Sequence, residues 1–165
     1  MTISVGVLTI STRGFRGEQP DTSGDAIKED LAGQEFEVQR YEIVSDDVAA
    51  IQDRLVRWSD EDKLNVIVTT GGTGLSPYDL TPEATLGVIE REVPGIAEVM
   101  RMESLKHTRM AMISRAVAGV RGRTLIVNLP GSPNGVRQCL AIVKPVLAHA
   151  AEIIAGEANP KHHRH

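Results

Sequence analysis

Val66–Ala84, VIVTTGGTGLSPYDLTPEA, is the stretch that decides how this chain folds. Counted from Asn65 to Thr70, its opening is an apolar, β-branched run of the kind expected of a strand buried on both faces. The run empties into Gly71-Gly72-Thr73-Gly74, and Thr81-Pro82 then starts a helix with a capping residue and a proline at its first position. Strand, glycine turn and helix make the repeating unit of a parallel sheet, so similar units are expected elsewhere.

They are found on both sides. Residues 3 to 10, ISVGVLTI, are short, apolar and β-branched, and DTSGDAIKEDLAG follows as a helix. There Thr22 with Asp25 resembles a capping box, and Gly33 suits a C-terminal cap. Residues 36 to 44, FEVQRYEIV, alternate like a more exposed strand. Ser45 or Asp46 opens the next helix, whose Val48, Ile51, Leu55 and Trp58 recur at helical spacing. Residues 124 to 128, TLIVN, form a fourth strand, and after LPGSPNG a long helix carries Val136, Leu140, Val143, Leu147 and Ile154. The span from Pro94 to Arg121 is less regular and reads as short helices joined by loops. The expected fold is a three-layer α/β/α sandwich with a mostly parallel sheet, a single domain over residues 1–156 and a polar tail over 157–165.

Composition excludes several functions. The 165 residues are 41% hydrophobic and 24% charged with a formal net charge of −4, so no basic excess points to nucleic acid. Aromatic residues make up 3%, too few for a base-stacking platform. Cys139 is the one cysteine and reads as a small buried hydrophobe. The N-terminus lacks the basic flank of a signal peptide, and no apolar run approaches the roughly 20 residues that cross a bilayer. A cytoplasmic protein without membrane contact is expected. The tail NPKHHRH reads as solvated in preference to metal-binding.

In parallel sheets ligands bind at the carboxyl ends of the strands. Ser11 follows the first strand, Asp46 the second, the glycine loop the third, and Pro130-Gly131-Ser132 the fourth. Gly71, Gly72 and Gly74 let a phosphate approach backbone N–H groups, and Thr73 adds a hydroxyl; a plain tight turn is the alternative. No lysine follows the last glycine, so this is no Walker loop, and G-x-G-x-x-G is absent. Taken singly, Asp46 reads as a helix cap, Asp79 as a turn residue and Glu83 as an acid favoured by the helix dipole. Two carboxylates beside an anion site repel the anion unless a divalent cation lies between them. Mg²⁺ takes one or two carboxylates plus substrate phosphates, so a metal–nucleotide site is the economical reading. Asn128, Gly131 and Ser132 offer hydrogen-bonding groups at a helix start. Ser104, Ser114 and Arg115 are uninformative singly. His107 and His149 avoid the four loops and no Ser-His-Asp set is evident, which disfavours a protein nucleophile or a histidine base.

LTIS with DTSG, IVSDD, TTGGTG with DLTPEAT, REVPGIAEVMR, SRAVAGVRG and TLIVNLPGSP, in this order from about Ile3 to Ile154, together resemble the molybdopterin adenylyltransferase family. That family includes bacterial MogA-type proteins and the G domains of gephyrin. The resemblance implies a commonly trimeric protein that transfers AMP from Mg-ATP to the terminal phosphate of molybdopterin and releases pyrophosphate. It assigns adenylyl transfer and the metal to Asp46 and Asp79, and ligand binding to Gly71, Gly72, Thr73 and Gly74. It associates Ser104, Ser114 and Asn128 with the pterin, and lines the same cleft with Pro130, Gly131 and Ser132. A molybdate-inserting enzyme is the implied later partner. Many relatives have an acid where this chain has Thr12 and a base where it has Tyr78. The rivals are a MoaB-type protein that binds pterin without adenylylating it, and a scaffold module.

Overall fold

The computed structural model describes residues 1–156. In chain order the elements are β1 (Ile3–Ile10), α1 (Thr12–Phe15), α2 (Thr22–Asp30), β2 (Phe36–Val44), α3 (Val48–Asp60), β3 (Val66–Thr70), α4 (Thr81–Leu86), β4 (Arg91–Glu92) and α5 (Pro94–Ser104). A 3-10 helix (Arg109–Ile113), β5 (Ala118–Arg121), β6 (Thr124–Leu129) and α6 (Pro133–Ala155) complete them. The six strands form one sheet in the order β2-β1-β3-β6-β5-β4.

The first four strands of that order run parallel, as their apolar runs require. All five residues of β3 and all six of β6 are buried, because helices cover both faces. Side chains alternate between two cores. Val66, Val68, Leu125 and Val127 face α2, α5 and α6, while Ile67 and Ile126 face α3 and α4. These are the three expected layers. Strand order reverses between β1 and β3, which places their carboxyl ends at the switch point where such sheets open a crevice.

Several local expectations shift. Asp21 caps α2 instead of Thr22, accepting from the Gly24 N–H, and the helix ends at Leu31, short of Gly33. Asp47 caps α3, accepting from the Ala50 N–H, which releases Ser45 and Asp46 from that duty. Leu80 is the N-cap of α4 and its apolar side chain makes no capping bond, while the Thr81 hydroxyl donates to the Gly71 carbonyl at 2.9 Å. The irregular span is not only helix and loop: β4 and β5 lie within it as an antiparallel extension of the sheet beyond β6. Helix α6 is also an exception to the absence of long apolar segments. At 23 residues, with mean hydropathy 1.4 in an 18-residue window, it has the length and composition to cross a membrane. Its Val136, Leu140, Val143 and Leu147 are instead buried in the core.

Candidate functional site

The loops after β1, β2, β3 and β6 meet at one sheet edge, and side-chain hydroxyls tie them together. The Thr70 Oγ1 donates to the Pro130 carbonyl at 2.6 Å, and the Ser23 Oγ to the Gly131 carbonyl at 2.6 Å. Gly71 and Gly131 lie so close that a Cβ on Gly131 would stand 3.4 Å from the Gly71 Cα. This glycine seam separates two hollows. The larger, about 470 Å³, is lined by Gly72, Thr73, Gly74, Asp79, Ser104, Ser114, Pro130, Gly131 and Ser132, among others. The smaller, about 140 Å³, is lined by Ser11, Asp21, Ser23, Thr70, Gly71 and Gly131 with their neighbours.

Asp46 and Asp79 stand on different loops. Asp46 accepts from the Thr12 N–H at 3.0 Å and the Thr12 hydroxyl at 2.9 Å, and its own N–H donates back to Thr12 Oγ1 at 3.0 Å. It lines neither hollow. Thr12 thus supplies a donor that an acid at that position would lack when ionised. Asp79 lines the larger hollow, and its carboxylate accepts from the Ser76 N–H at 2.9 Å, closing the loop before α4. Neither carboxylate forms an ion pair with Lys or Arg among the described residues.

Arg115 shapes the glycine loop, a role its local sequence does not announce. Its N–H donates to the Thr73 carbonyl at 2.9 Å, its Nε to the Gly74 carbonyl at 2.8 Å and its Nη2 to the Asp79 carbonyl at 2.6 Å. Its remaining nitrogen pairs with Glu83, whose carboxyl it holds below the usual range chiefly through that hydrogen bond. Asp21 also escaped the sequence reading. It accepts from Thr9 Oγ1 at 2.6 Å and from the Tyr41 hydroxyl, and that phenol is pushed up by burial first and by Asp21 second. The aspartate opening DTSG was the available signal.

The serines divide into caps and lining groups. Ser11 caps α1 and Ser132 caps α6, each accepting one backbone N–H at 3.0 Å. Ser104 is buried, with its Oγ 3.6 Å from the Cys139 Sγ, and burial pushes that thiol up. Ser114 lines the hollow beside the Arg115 clamp. Asn128 requires correction as a ligand contact. It is fully buried, its Oδ1 accepts from the Val117 N–H at 3.2 Å, and its Nδ2 donates to Thr69 and Thr85 at 3.1 and 3.0 Å. A buried amide must satisfy its polar atoms, and these are satisfied by protein. Asn128 lies beneath the cleft and braces β6 against its neighbours.

Among the described residues no group of three His, Cys, Asp or Glu side chains is placed to enclose a metal. The His-rich tail lies outside the described residues. A cation that draws most of its ligands from substrate and water, as Mg²⁺ does, asks for one or two protein carboxylates, and Asp79 lines the larger hollow. The arrangement suits joining two phosphate-bearing molecules across a glycine seam: backbone N–H groups, hydroxyls and uncompensated carboxylates are present, and no histidine among the described residues lines either hollow.

Residues 6–149 match a family described as a probable molybdopterin binding domain. Over 160 residues the chain is 43% identical to a protein of Helicobacter pylori (strain J99) named molybdopterin adenylyltransferase, covering 94% of this chain and 89% of that protein. An Escherichia coli (strain K12) protein of the same name is 38% identical over 146 residues, covering 87% of this chain and 74% of the other. Among solved structures, the molybdopterin biosynthesis enzyme MoaB from Thermus thermophilus superposes with a TM-score of 0.89 at 55% identity, covering 94% of this chain and 98% of that one.

Proposed function

The chain belongs to this molybdopterin-binding domain family, and from that premise we propose that it is a molybdopterin adenylyltransferase, a nucleotidyltransferase of molybdenum cofactor biosynthesis. It transfers AMP from Mg-ATP to the terminal phosphate of molybdopterin. A pterin phosphate oxygen forms a bond to the α-phosphorus of ATP, the bond from that phosphorus to the α,β-bridging oxygen breaks, and pyrophosphate leaves. The observation that carries the reading is Asp79, an uncompensated carboxylate in the wall of a glycine-lined hollow.

The attacking oxygen is already ionised near neutral pH, so the protein has no proton to remove and needs no strong base. Its work is positioning and charge neutralisation. Asp79, with Asp46 from another loop, would hold Mg²⁺, which offsets charge on the ATP phosphates. Gly72, Thr73 and Gly74 offer close-approach donors, and Ser104, Ser114 and Ser132 line the pterin side. A MoaB-type binding protein without transfer activity is the second reading; the 55% identical structure carries the MoaB name, but as a molybdopterin biosynthesis enzyme. The retained Asp46 and Asp79 favour the enzyme. A cytoplasmic homotrimer passing its product to a molybdate-inserting enzyme is the setting that goes with this reading.

The test is incubation with molybdopterin and Mg-ATP, followed by assay for adenylylated pterin and pyrophosphate. Intact pterin binding with no product would leave only the binding-protein reading. A second measurement concerns Thr12. Thr12→Val removes the hydroxyl that both donates to Asp46 and accepts from it, while leaving the N–H bond. Loss of a hydrogen bond to a charged group predicts a fall in kcat/KM on the order of 10-fold. Thr12→Ser should restore it. Equal turnover in the valine variant and wild type would show that the Thr12 hydroxyl does not position Asp46 for the reaction.

A further inference from the structure

Among the described residues only two charged side chains line the larger hollow, Asp79 and Arg101. Arg101 stands on α5, and its Nη1 donates to the carbonyls of Ala116 at 2.8 Å and Ser114 at 3.4 Å. Among the described residues the Nε and Nη2 edge has no hydrogen-bond partner and Arg101 forms no ion pair. The second arginine nearby, Arg115, is saturated by Glu83 and the loop carbonyls. Around Arg101 the wall is largely apolar, with Ala97, Met100, Ile113 and Cys139. A half-buried cation without a counter-charge in such a wall is stabilised by an anion.

Its position suggests which anion. Arg101 holds the Ser114 carbonyl, and the next residue, Arg115, donates its N–H to the Thr73 carbonyl of the glycine loop. Arg101 and the glycine loop thus border one hollow from adjoining segments. Backbone N–H groups supply partial charges, whereas a phosphomonoester carries about −1.5 to −2 near pH 7. We infer that Arg101 is the cationic anchor for the terminal phosphate of the pterin substrate. The Nε–Nη2 edge presents two parallel donors, the fork that matches two phosphate oxygens. The inference rests on the proposed substrate. It gives the acceptor phosphate a counter-charge separate from the one Asp79 would provide through a metal to the nucleotide, so the two phosphate groups can approach each other.

Binding measured without nucleotide tests it. The probes are molybdopterin and the same pterin after phosphatase removal of its phosphate, titrated into wild type, Arg101→Met and Arg101→Lys. Methionine keeps an apolar stem of similar reach and removes the fork. Arg101→Met is expected to weaken the phosphorylated pterin by on the order of 10- to 100-fold and to leave the dephosphorylated one within about 2-fold of wild type. Arg101→Lys, which keeps the charge and loses the fork, should fall between and becomes more salt-sensitive. Equal losses for both pterins, or no loss for either, overturn the assignment. If Arg101→Met does not fold, the lysine variant decides by the same comparison: a loss confined to the phosphorylated probe supports the anchor, and an equal or absent loss overturns it. A wild type that prefers the phosphorylated pterin through Arg101 yet makes no adenylylated product would sink the transfer reading and keep the anchor. Active transfer with an indifferent Arg101→Met would do the reverse.

Discussion

Asp79→Asn is expected to lower adenylyl transfer by on the order of 10²- to 10³-fold, the scale on which removal of one electrostatic stabiliser acts. The substitution is informative because so little else changes. Asp79 receives the Ser76 N–H through one carboxylate oxygen, and an amide oxygen can accept the same bond. Its backbone carbonyl still takes Arg115 Nη2, so the loop keeps its clamp. What disappears is the negative charge, in a place where no Lys or Arg was neutralising it. Thermal stability and pterin affinity should therefore stay near wild type while single-turnover formation of adenylylated pterin collapses, and a higher Mg²⁺ concentration should restore part of the rate. Wild-type turnover in the asparagine variant would refute a metal role for Asp79.

Gly71→Ala should have the largest effect on stability. Gly71 takes φ +96, and a Cβ there would meet the Ile10 carbonyl oxygen at 2.4 Å. That oxygen belongs to the backbone at the end of β1 and cannot rotate away. Strain at positive φ together with the forced shift predicts a loss of roughly 3 kcal/mol, or about 6–12 °C in Tm for a chain of this size. Gly17→Ala is the control. It has φ +74 but nothing within 4 Å of the added Cβ, so it carries the strain without the collision. About 1–2 kcal/mol is expected there. Equal losses at the two positions would show that the approach of Gly71 to β1 is unimportant. Because Gly71 also faces Gly131 across the seam, the alanine variant should lose substrate binding along with stability.

Gly71 was legible from the pattern of residues, whereas Asp79 taken singly reads as a turn residue and gains its role only from the anion site beside it and from the resemblance. Glycines after an apolar β-branched run announce a turn at the carboxyl end of a buried strand, and the rule for parallel sheets brings such turns together. Helix caps were legible only to within a residue or so. In Ser45-Asp46-Asp47 all three side chains can cap, and the chain's path after β2 selects the last, freeing Asp46 to meet Thr12. Strands β4 and β5 were hidden because two and four residues hold too little pattern to tell a strand from a loop. The Arg115 clamp could not be read at all. Its partners lie 32 to 41 residues away, and only the folded chain brings Gly74, Asp79 and Glu83 to one guanidinium. Asn128 erred in the opposite direction: the motif pointed to the ligand, whereas burial commits the amide to bracing the strands.

The central pairing of β3 with β6 bears on how the protein is made. Roughly fifty residues separate these neighbours in the chain, and every residue of both is buried in the finished sheet. During synthesis at about 5–20 residues per second, β3 leaves the ribosome several seconds before its partner exists. For that interval the nascent chain holds β1, β2 and β3 with one apolar strand edge open, the kind of surface on which chains associate wrongly. Chaperone occupancy should therefore peak on ribosome-bound chains arrested between β3 and β6, and fall once β6 has emerged.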